Sequence, residues 1–231
     1  GTGGGRSTFN ISTTAALIAA GAGCAVAKHG NRSATSRSGS ADVLEALGAR
    51  IDLTAAEVAA CIDETGFGFM FAPAHHAATR FVVPVRKELA VRTVFNVLGP
   101  LTNPAAAKRQ LVGVVDAFLI DLVAGALAEL GCEHALVVSS EDGLDEMSAA
   151  AKTAVAEVHG GQVRRYDFDP GEAGFGASEP LEPGGSPEEN AAVTRAILDG
   201  APGPQADTAI LNAAAAIYVA GACLGALFFG Q

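Results

Sequence analysis

The sequence predicts an α/β fold, with a mostly parallel central sheet and helices on both of its faces. The first observation is alternation, because short apolar runs typical of buried strands are separated by longer segments of helical character. The second is size, since 231 residues that are 49% hydrophobic suffice for one domain with a sizeable core. No internal repeat is visible, so residues 1–231 are expected to form a single α/β domain.

The first elements place a strand end beside a glycine-rich loop. Residues 12–22 are small and apolar and contain no proline, which predicts a buried helix whose N-terminus faces the preceding loop. Residues 24–27 predict a short buried strand that delivers Lys28 at its carboxyl end. The carboxyl ends of strands form the usual ligand-binding edge of an open parallel sheet.

Two further helices and a strand follow. Residues 43–47 predict a helix, with Ser40 as a candidate cap. Thr54 opens a capping box with the glutamate three positions later, which predicts a helix through residues 58–65. Residues 66–71 then predict a short apolar strand.

The middle of the chain predicts a helix and then a long loop. Residues 76–89 predict a helix that carries Arg80, Arg86 and Lys87. Residues 92–104 are dense in glycine, proline and asparagine, which predicts a loop. Long ordered loops of this composition often line functional sites.

The rest of the chain alternates more plainly. Residues 154–158 and 162–168 flank a His-Gly-Gly turn, which predicts a β-hairpin. Ser186, with the proline and glutamates that follow it, predicts a capped helix start. The remaining predicted elements are strands 111–115 and 134–139 and helices 118–130, 187–199 and 205–226.

Charge and cysteine content disfavour several classes of protein. The net charge is −10, from 25 acidic and 15 basic side chains, and such a chain repels a nucleic-acid backbone. The four cysteines are scattered, and no pair has the spacing of a metal or redox site. We find no cleavable signal sequence and no apolar run long enough to span a bilayer, so a cytoplasmic location is expected.

Two loops rich in glycine and hydroxyl groups flank the first predicted helix and strand. Glycine lets backbone N–H groups approach a ligand closely, and a helix N-terminus adds unpaired donors. Lys28, Arg32 and Arg37 add three cations to the second loop. Together these features predict binding of an anion with several phosphates. A structural turn is the alternative, because one glycine-rich loop alone is weak evidence.

Asp145 and Glu146 form a carboxylate pair after a predicted strand and a glycine-containing turn. Adjacent carboxylates on a loop can point into one site, whereas on a strand they would face opposite sides. Hard oxygen ligands beside a phosphate site suit Mg²⁺. A solvated turn or an acidic pair at a helix N-terminus is equally consistent with the spacing.

Several motifs occur together in this chain. They are Gly-Thr-Gly-Gly at 1–4, Asn-Ile-Ser-Thr at 10–13, Lys-His-Gly-Asn-Arg at 28–32, Arg-Thr-Val-Phe-Asn-Val-Leu-Gly-Pro-Leu-Thr-Asn-Pro at 92–104, Asp-Glu at 145–146 and Gly-Ser-Pro-Glu-Glu-Asn-Ala at 185–191. As a set they resemble the anthranilate phosphoribosyltransferase family, and the resemblance covers nearly the whole chain. The Lys-His-Gly-Asn-Arg block distinguishes that family from the pyrimidine nucleoside phosphorylases of the same fold.

The resemblance implies Mg²⁺-dependent transfer of a phosphoribosyl group from phosphoribosyl diphosphate to anthranilate. The products would be N-(5-phosphoribosyl)anthranilate and diphosphate, in tryptophan biosynthesis. It also implies a homodimer for the full-length protein, and remnants of a small helical domain toward which residues 76–105 would pack. Family members carry a helical segment before the first glycine-rich loop. A pyrimidine nucleoside phosphorylase and a non-catalytic nucleic-acid-binding relative are the disfavoured alternatives.

By the same resemblance, the residues around phosphoribosyl diphosphate are Gly1, Gly4, Thr8, Asn10, Ile11, Ser12, Thr13, Lys28, His29, Gly30, Asn31, Arg32, Ser33, Ala34, Thr35, Ser36 and Ser40. Those around anthranilate are Gly1, Asn31 and Arg86, since a guanidinium can hold a carboxylate through two parallel hydrogen bonds. The metal ligands are Ser12, Asp145 and Glu146. No residue is assigned as a general acid or base. The family loop has an aspartate where this chain passes directly from Gly4 to Gly5.

Overall fold

The computed structural model describes residues 6–33, 37–76, 95–175 and 178–221. Its helices are α1 (Ile11–Gly21), α2 (Ser40–Ala46), α3 (Ala55–Thr65), α4 (Ala72–His75), α5 (Phe95–Leu101), α6 (Leu119–Glu129), α7 (Pro187–Leu198) and α8 (Pro204–Ala220). Its strands are β1 (Val26–Gly30), β2 (Phe67–Phe71), β3 (Arg109–Gly113), β4 (His134–Ser140), β5 (Thr153–His159) and β6 (Gln162–Phe168). The predicted α/β class is confirmed.

The strands of the described residues form two sheets, where the sequence predicted one mostly parallel sheet. β1 and β2 pair in parallel, and the second sheet has the order β3-β4-β5-β6. β3 and β4 are parallel, whereas β4–β5 and β5–β6 are antiparallel. The connection over residues 141–152 contains no helix, and because a parallel crossover usually needs one, β5 returns antiparallel to β4.

The predicted hairpin between β5 and β6 is confirmed. Gly160 (φ 59°) and Gly161 (φ 79°) both adopt the left-handed conformation. A two-residue type I′ turn requires this conformation at both positions, and glycine adopts it without steric cost. The Gly-Gly pair therefore explains both the tight turn and the antiparallel pairing.

Helices cover both faces of the second sheet, as predicted. On one face, Val123 of α6 packs in a buried cluster with Val137 of β4. On the other face, Leu211 of α8 packs in a cluster with Val138 of β4. Because successive strand residues point to opposite faces, one strand supplies both cores.

Helix α8 also reaches the first sheet. Its Ile217 packs in a cluster with Ala19 of α1 and Val26 of β1. Ala209 of α8 lies in another cluster with Ile11 of α1. α8 therefore packs against elements of both sheets. No helix among the described residues has the length and apolar character needed to cross a membrane.

The strand predicted over residues 24–27 lies instead at Val26–Gly30, so Lys28 lies inside β1 and not beyond its end. The prediction of a loop over residues 92–104 is wrong for the central part, Phe95–Leu101, which forms α5. Pro100 lies inside α5, although it has no N–H to donate to the preceding turn. Thr102 Oγ1 donates to the Leu98 carbonyl at 3.0 Å, which satisfies a group that a helix end would leave unpaired.

Residues after α5 are fixed beside the first sheet. Asn103 Nδ2 donates to the Ala27 carbonyl of β1 at 3.2 Å. The helix predicted over residues 76–89 lies outside the described residues except for His76. Packing of residues 76–105 toward a small helical domain stays a prediction.

The capping box at the start of α3 is confirmed, and we expect Thr54→Ala to lower the free energy of unfolding by about 1 kcal/mol. Thr54 Oγ1 accepts from the Glu57 N–H at 3.3 Å, and Glu57 Oε2 accepts from the Thr54 N–H at 2.8 Å. The substitution removes the first of these bonds from an exposed helix start. Urea denaturation measures the effect, with Glu64→Gln on the same helix as the control. An unchanged midpoint for Thr54→Ala would contradict the prediction.

Candidate active site

α1, β1 and the loop after β4 bring a cation, a hydroxyl and a carboxylate pair together. Lys28 Nζ of β1 lies 3.4 Å from Ser12 Oγ at the start of α1. Burial lowers the pKa of Lys28 to about 8, and the negative charge of Glu146 partly offsets that effect. Lys28 and Glu146 are therefore electrostatic neighbours although they lie far apart in the sequence.

The carboxylate pair lies in the loop that follows β4. Burial raises the pKa of Glu146 to about 8, and the adjacent Asp145 carboxylate acts in the same direction. Asp145 and Glu146 both keep some solvent-accessible surface, so neither residue is completely enclosed. The raised pKa of Glu146 therefore reflects the dense protein around it together with the like charge of Asp145. With a pKa of about 8, the Glu146 carboxyl is mostly protonated at pH 7, and a bound cation would favour its ionised form.

Buried polar side chains fix the backbone of this loop. Asn212 of α8 is 1% exposed, accepts from the Met147 N–H at 3.0 Å and donates to the Met147 carbonyl at 2.8 Å. Ser140 Oγ donates to the Glu146 carbonyl at 2.6 Å. Because these contacts engage backbone atoms, they set the position of the carboxylate pair without consuming its side-chain oxygens.

Gly113 allows the carboxylate loop to lie directly on the end of β3. A Cβ added to Gly113 would overlap the carbonyl oxygen of Asp145. The requirement for glycine here comes from close backbone approach. β3 and β4 run parallel, so this contact brings the loop after β4 over the carboxyl end of its neighbour.

The oxygen donors fit Mg²⁺. The described residues contain no group of three or more His, Cys, Asp or Glu side chains arranged to hold a metal ion alone. Mg²⁺ is usually held by one or two carboxylates, with water and substrate phosphates completing its shell. Ser12, Asp145 and Glu146 therefore suit an ion shared with an anionic substrate, and a divalent cation would favour the ionised form of Glu146.

Asp42 orders the second glycine-rich loop. Its carboxylate accepts from the backbone N–H groups of Ser33 at 3.0 Å and Gly39 at 2.9 Å. Arg32 Nη1 donates to the same carboxylate at 2.9 Å, and Arg32 Nη2 donates to Glu45 Oε1 at 2.9 Å. Two carboxylates thus balance the Arg32 guanidinium. Its role as a phosphate ligand stays a prediction.

We expect Asp42→Asn to destabilise the protein in a pH-dependent manner. Burial disfavours the charged form, but hydrogen bonds from Ser33, Gly39 and Arg32 outweigh it and lower the pKa of Asp42 below its ordinary value of 3.8. A lowered folded-state pKa gives stability that is complete above the unfolded pKa and is lost as pH falls through the folded value.

The gap between the urea midpoints of the wild type and Asp42→Asn should therefore narrow below about pH 4. Asp63→Asn, at an exposed position of α3, is the control and should show little gap at any pH. A gap for Asp42→Asn that stays constant down to pH 2 would contradict the prediction.

Three imidazoles meet near the carboxyl ends of β1 and β2. The rings of His29 and His76 pack edge to face, with centroids 4.8 Å apart. Burial lowers the pKa of His29 to about 4, and His76, Lys28 and His75 lower it further by their charges. His29 is therefore neutral near pH 7 and a weak base.

The remaining predicted ligands include buried residues, residues in contact with one another, and residues outside the described part of the chain. Ile11 and Thr13 are 1% and 0% exposed as whole residues, and their backbone N–H groups donate to the Phe9 and Asn10 carbonyls, so their roles as ligands stay predictions. Gly30 lies against Ser40, where a Cβ would collide with the hydroxyl, and Ser40 Oγ donates to the Asn31 carbonyl at 3.3 Å. The predicted ligands outside the described residues are Gly1, Gly4, Ala34, Thr35, Ser36 and Arg86.

Sequence reasoning missed the residues that support the site. Asn212 is a lone polar residue in an apolar stretch of α8, and that pattern could have marked it, because buried polar groups need partners. Asp42 follows the second loop at the third position of a short helix, where an acidic residue is common. Nothing in the local sequence marks Gly113 as a close contact.

Comparison with known proteins agrees with the resemblance found in the motifs. The family model "Glycosyl transferase family, a/b domain" matches residues 1–225. The anthranilate phosphoribosyltransferase of Laribacter hongkongensis is 56% identical over 225 residues, which cover 96% of this chain and 65% of the relative. That of Symbiobacterium thermophilum is 55% identical over 222 residues, covering 95% and 65%. This chain thus spans 65% of the length of both relatives.

Solved structures give the same result. The anthranilate phosphoribosyltransferase of Thermus thermophilus is 50% identical with a TM-score of 0.88, covering 95% of this chain and 66% of its own. The Saccharomyces cerevisiae protein in complex with phosphoribosyl diphosphate and Mg is 30% identical with a TM-score of 0.81, covering 95% and 63%. Its complex with 4-fluoroanthranilate is 28% identical with a TM-score of 0.80, covering 95% and 62%. Since the family model spans residues 1–225, this chain belongs to the glycosyl transferase family and carries that family's α/β domain.

Proposed function

We propose that this protein transfers the phosphoribosyl group of phosphoribosyl diphosphate to anthranilate, with Mg²⁺, in tryptophan biosynthesis. The observation that carries the proposal is the meeting of Ser12, Lys28 and the Asp145–Glu146 pair at one edge of the fold. The yeast relatives support it, because their structures hold phosphoribosyl diphosphate with Mg and, separately, 4-fluoroanthranilate.

In the proposed reaction, the amine nitrogen of anthranilate forms a bond to ribose C1 while the C1–O bond to diphosphate breaks. The electron pair of the broken bond leaves with diphosphate, and a proton of the amine passes to solvent. An aryl amine is neutral near pH 7, so no residue needs to deprotonate it before the attack. Lys28, whose pKa is about 8, is mostly protonated at pH 7 and would stabilise the departing diphosphate.

The remaining contribution is positioning. Mg²⁺ held by Ser12, Asp145 and Glu146 would supply positive charge to the diphosphate as it leaves. The glycine-rich loops would hold the phosphates through backbone N–H groups. Asn31 and Arg86 would orient anthranilate. We expect most of the rate enhancement to come from this arrangement of reactants together with leaving-group electrostatics.

Anthranilate fluorescence gives a direct test. The protein is expressed from its whole gene and mixed with phosphoribosyl diphosphate, Mg²⁺ and anthranilate. The fluorescence should fall with time, and removal of Mg²⁺ with EDTA should stop the decrease. A constant signal in the complete mixture would contradict the proposal, and release of a free base from a pyrimidine nucleoside by phosphate would favour the phosphorylase instead.

We also propose a homodimer and a cytoplasmic location for the whole protein. The net charge of −10 supports a protein without a nucleic-acid partner. Sedimentation velocity tests the dimer, and a monomer at micromolar concentration would contradict it.

A further inference from the structure

Asn190 in α7 connects the two glycine-rich loops through a single neighbouring side chain. Asn190 is 3% exposed, and its Oδ1 accepts from the Gly185 N–H at 2.9 Å. Its Nδ2 donates to Asn10 Oδ1 at 2.9 Å. A buried amide in this position needs both partners, because an unsatisfied polar group in the interior is costly.

The Asn10 side chain is held by three hydrogen bonds. Its Oδ1 accepts from Asn190 and also from Ser38 Oγ at 3.1 Å, and its Nδ2 donates to the Ser38 carbonyl at 3.2 Å. Asn10 belongs to the first loop and directly precedes α1, whereas Ser38 belongs to the second loop. One amide thus ties both predicted phosphate-binding loops to α7.

The orientation of the Asn10 amide follows from this pattern. Two donors converge on its oxygen, and one hydrogen of its nitrogen is used by Ser38. The second hydrogen of Nδ2 has no partner among the described residues and is the group that an anion can accept from. If the donor from Asn190 were replaced by an acceptor, two acceptors would oppose each other at Asn10 Oδ1. Rotation of the amide would relieve that contact, but it would break the bond to the Ser38 carbonyl and turn the amide oxygen toward the anion.

We infer that Asn190 is a positioning residue for phosphoribosyl diphosphate, acting through the amide of Asn10. The inference rests on the proposed function, because it assumes that the two loops bind that substrate. Asn190 does not contact the substrate itself. Its effect is to keep a hydrogen-bond donor, and not an acceptor, facing the phosphates.

Two substitutions separate this role from simple packing. Asn190→Asp has nearly the same shape and keeps the acceptor for Gly185, but it places an acceptor against Asn10 Oδ1. Asn190→Ala removes the side chain but adds no unfavourable acceptor. If Asn190 orients Asn10, the affinity of the aspartate variant for phosphoribosyl diphosphate should fall by about 10-fold or more relative to the wild type. The affinity of the alanine variant should fall by a smaller factor. If Asn190 only fills space, the alanine variant should be the weaker binder.

A pH series adds a second distinction. A protonated aspartic acid can donate a hydrogen bond, so the aspartate variant should regain affinity relative to the wild type as the pH falls from 8 to 5. Arg37, Glu182 and Glu189 line the same cavity of about 370 Å³ as Asn190, and the wild-type series corrects for any pH dependence of binding that the two proteins share. Ala192→Asp, at an exposed position of the same helix, adds the same charge and should leave affinity unchanged.

Isothermal titration calorimetry with phosphoribosyl diphosphate and Mg²⁺ measures all four proteins below their melting temperatures. Failure of the wild type to bind would overturn the proposed function and this inference with it. Binding by the wild type together with equal affinity of the aspartate variant would overturn the inference alone. A loss of affinity that is larger for the alanine variant than for the aspartate variant would also overturn the inference. So would a loss in the aspartate variant that does not change with pH. Should the aspartate variant fail to fold, unchanged affinity of the alanine variant would still overturn it.

Discussion

Asp145→Asn is expected to reduce Mg²⁺-dependent turnover by at least ~100-fold while the fold remains intact. The asparagine keeps one oxygen but loses the charge that a hard divalent cation prefers. The Asp145 carboxylate also helps to raise the pKa of Glu146. Its removal relieves repulsion between like charges in the folded state, so the free energy of unfolding should stay the same or rise.

Three measurements check this expectation. Anthranilate fluorescence over a range of Mg²⁺ concentrations gives the loss of turnover, thermal unfolding gives stability, and electron paramagnetic resonance gives the binding of Mn²⁺ without any turnover. Glu141→Gln removes an exposed carboxylate from the same loop and serves as the matched control. Parallel losses of melting temperature and rate in Asp145→Asn would count against a metal-binding role.

Gly113→Ala should be the most destabilising of the substitutions considered, at about 3 kcal/mol or more. The new methyl group would overlap the Asp145 carbonyl oxygen. The three nearest atoms all belong to the Asp145 backbone, so no side chain can rotate away. Either β3 or the carboxylate loop has to move. Movement of the loop would also displace Asp145 and Glu146, so Mn²⁺ affinity should fall together with stability.

Gly125→Ala provides the matched control for this change. Gly125 lies inside α6, and a Cβ there meets nothing within 4 Å. Alanine in a helix interior is favoured over glycine, so this variant should gain about 0.5–1 kcal/mol. Urea denaturation compares the two variants. If Gly113→Ala unfolds at the same midpoint as the wild type, the close contact between β3 and the loop is not required.

The sequence predicted best those elements whose causes are local. The Thr54 capping box, the Ser186 capping box and the Gly160–Gly161 turn all occur where the pattern placed them. In each case the determining hydrogen bond or dihedral angle lies within a few residues. The boundaries of the strands were less accurate, because strand ends depend on the partner strand as well as on local propensity.

Features that depend on distant partners were missed. α5 includes Pro100, and Thr102 and Asn103 make hydrogen bonds at its end and to β1 that composition does not reveal. The hydrogen bond between Asn212 and Met147 joins residues 65 positions apart, and the one between Asn10 and Asn190 joins residues 180 positions apart. No local pattern specifies such a pair.

The candidate site was partly predictable. The motifs identified Lys28 and the Asp145–Glu146 pair, and the structure brings Lys28 and Glu146 into electrostatic contact. Motifs did not indicate that Arg32 pairs with Asp42 and Glu45. A motif specifies which residue types occur together, whereas the balance of charge around each of them depends on the folded chain.

The lysine of the site belongs to one sheet and its carboxylates follow a strand of the other, with a single helix packed against both. The separation between opposite charges is therefore set partly by side chains such as Ala209 and Ile217, which are buried beyond the reach of any substrate. Natural variation at these positions would change how tightly a phosphorylated sugar is held in two proteins whose ligand-contacting residues are identical. Transplanting those contact residues into another scaffold would accordingly fail to transfer the affinity unless the helix were transplanted as well.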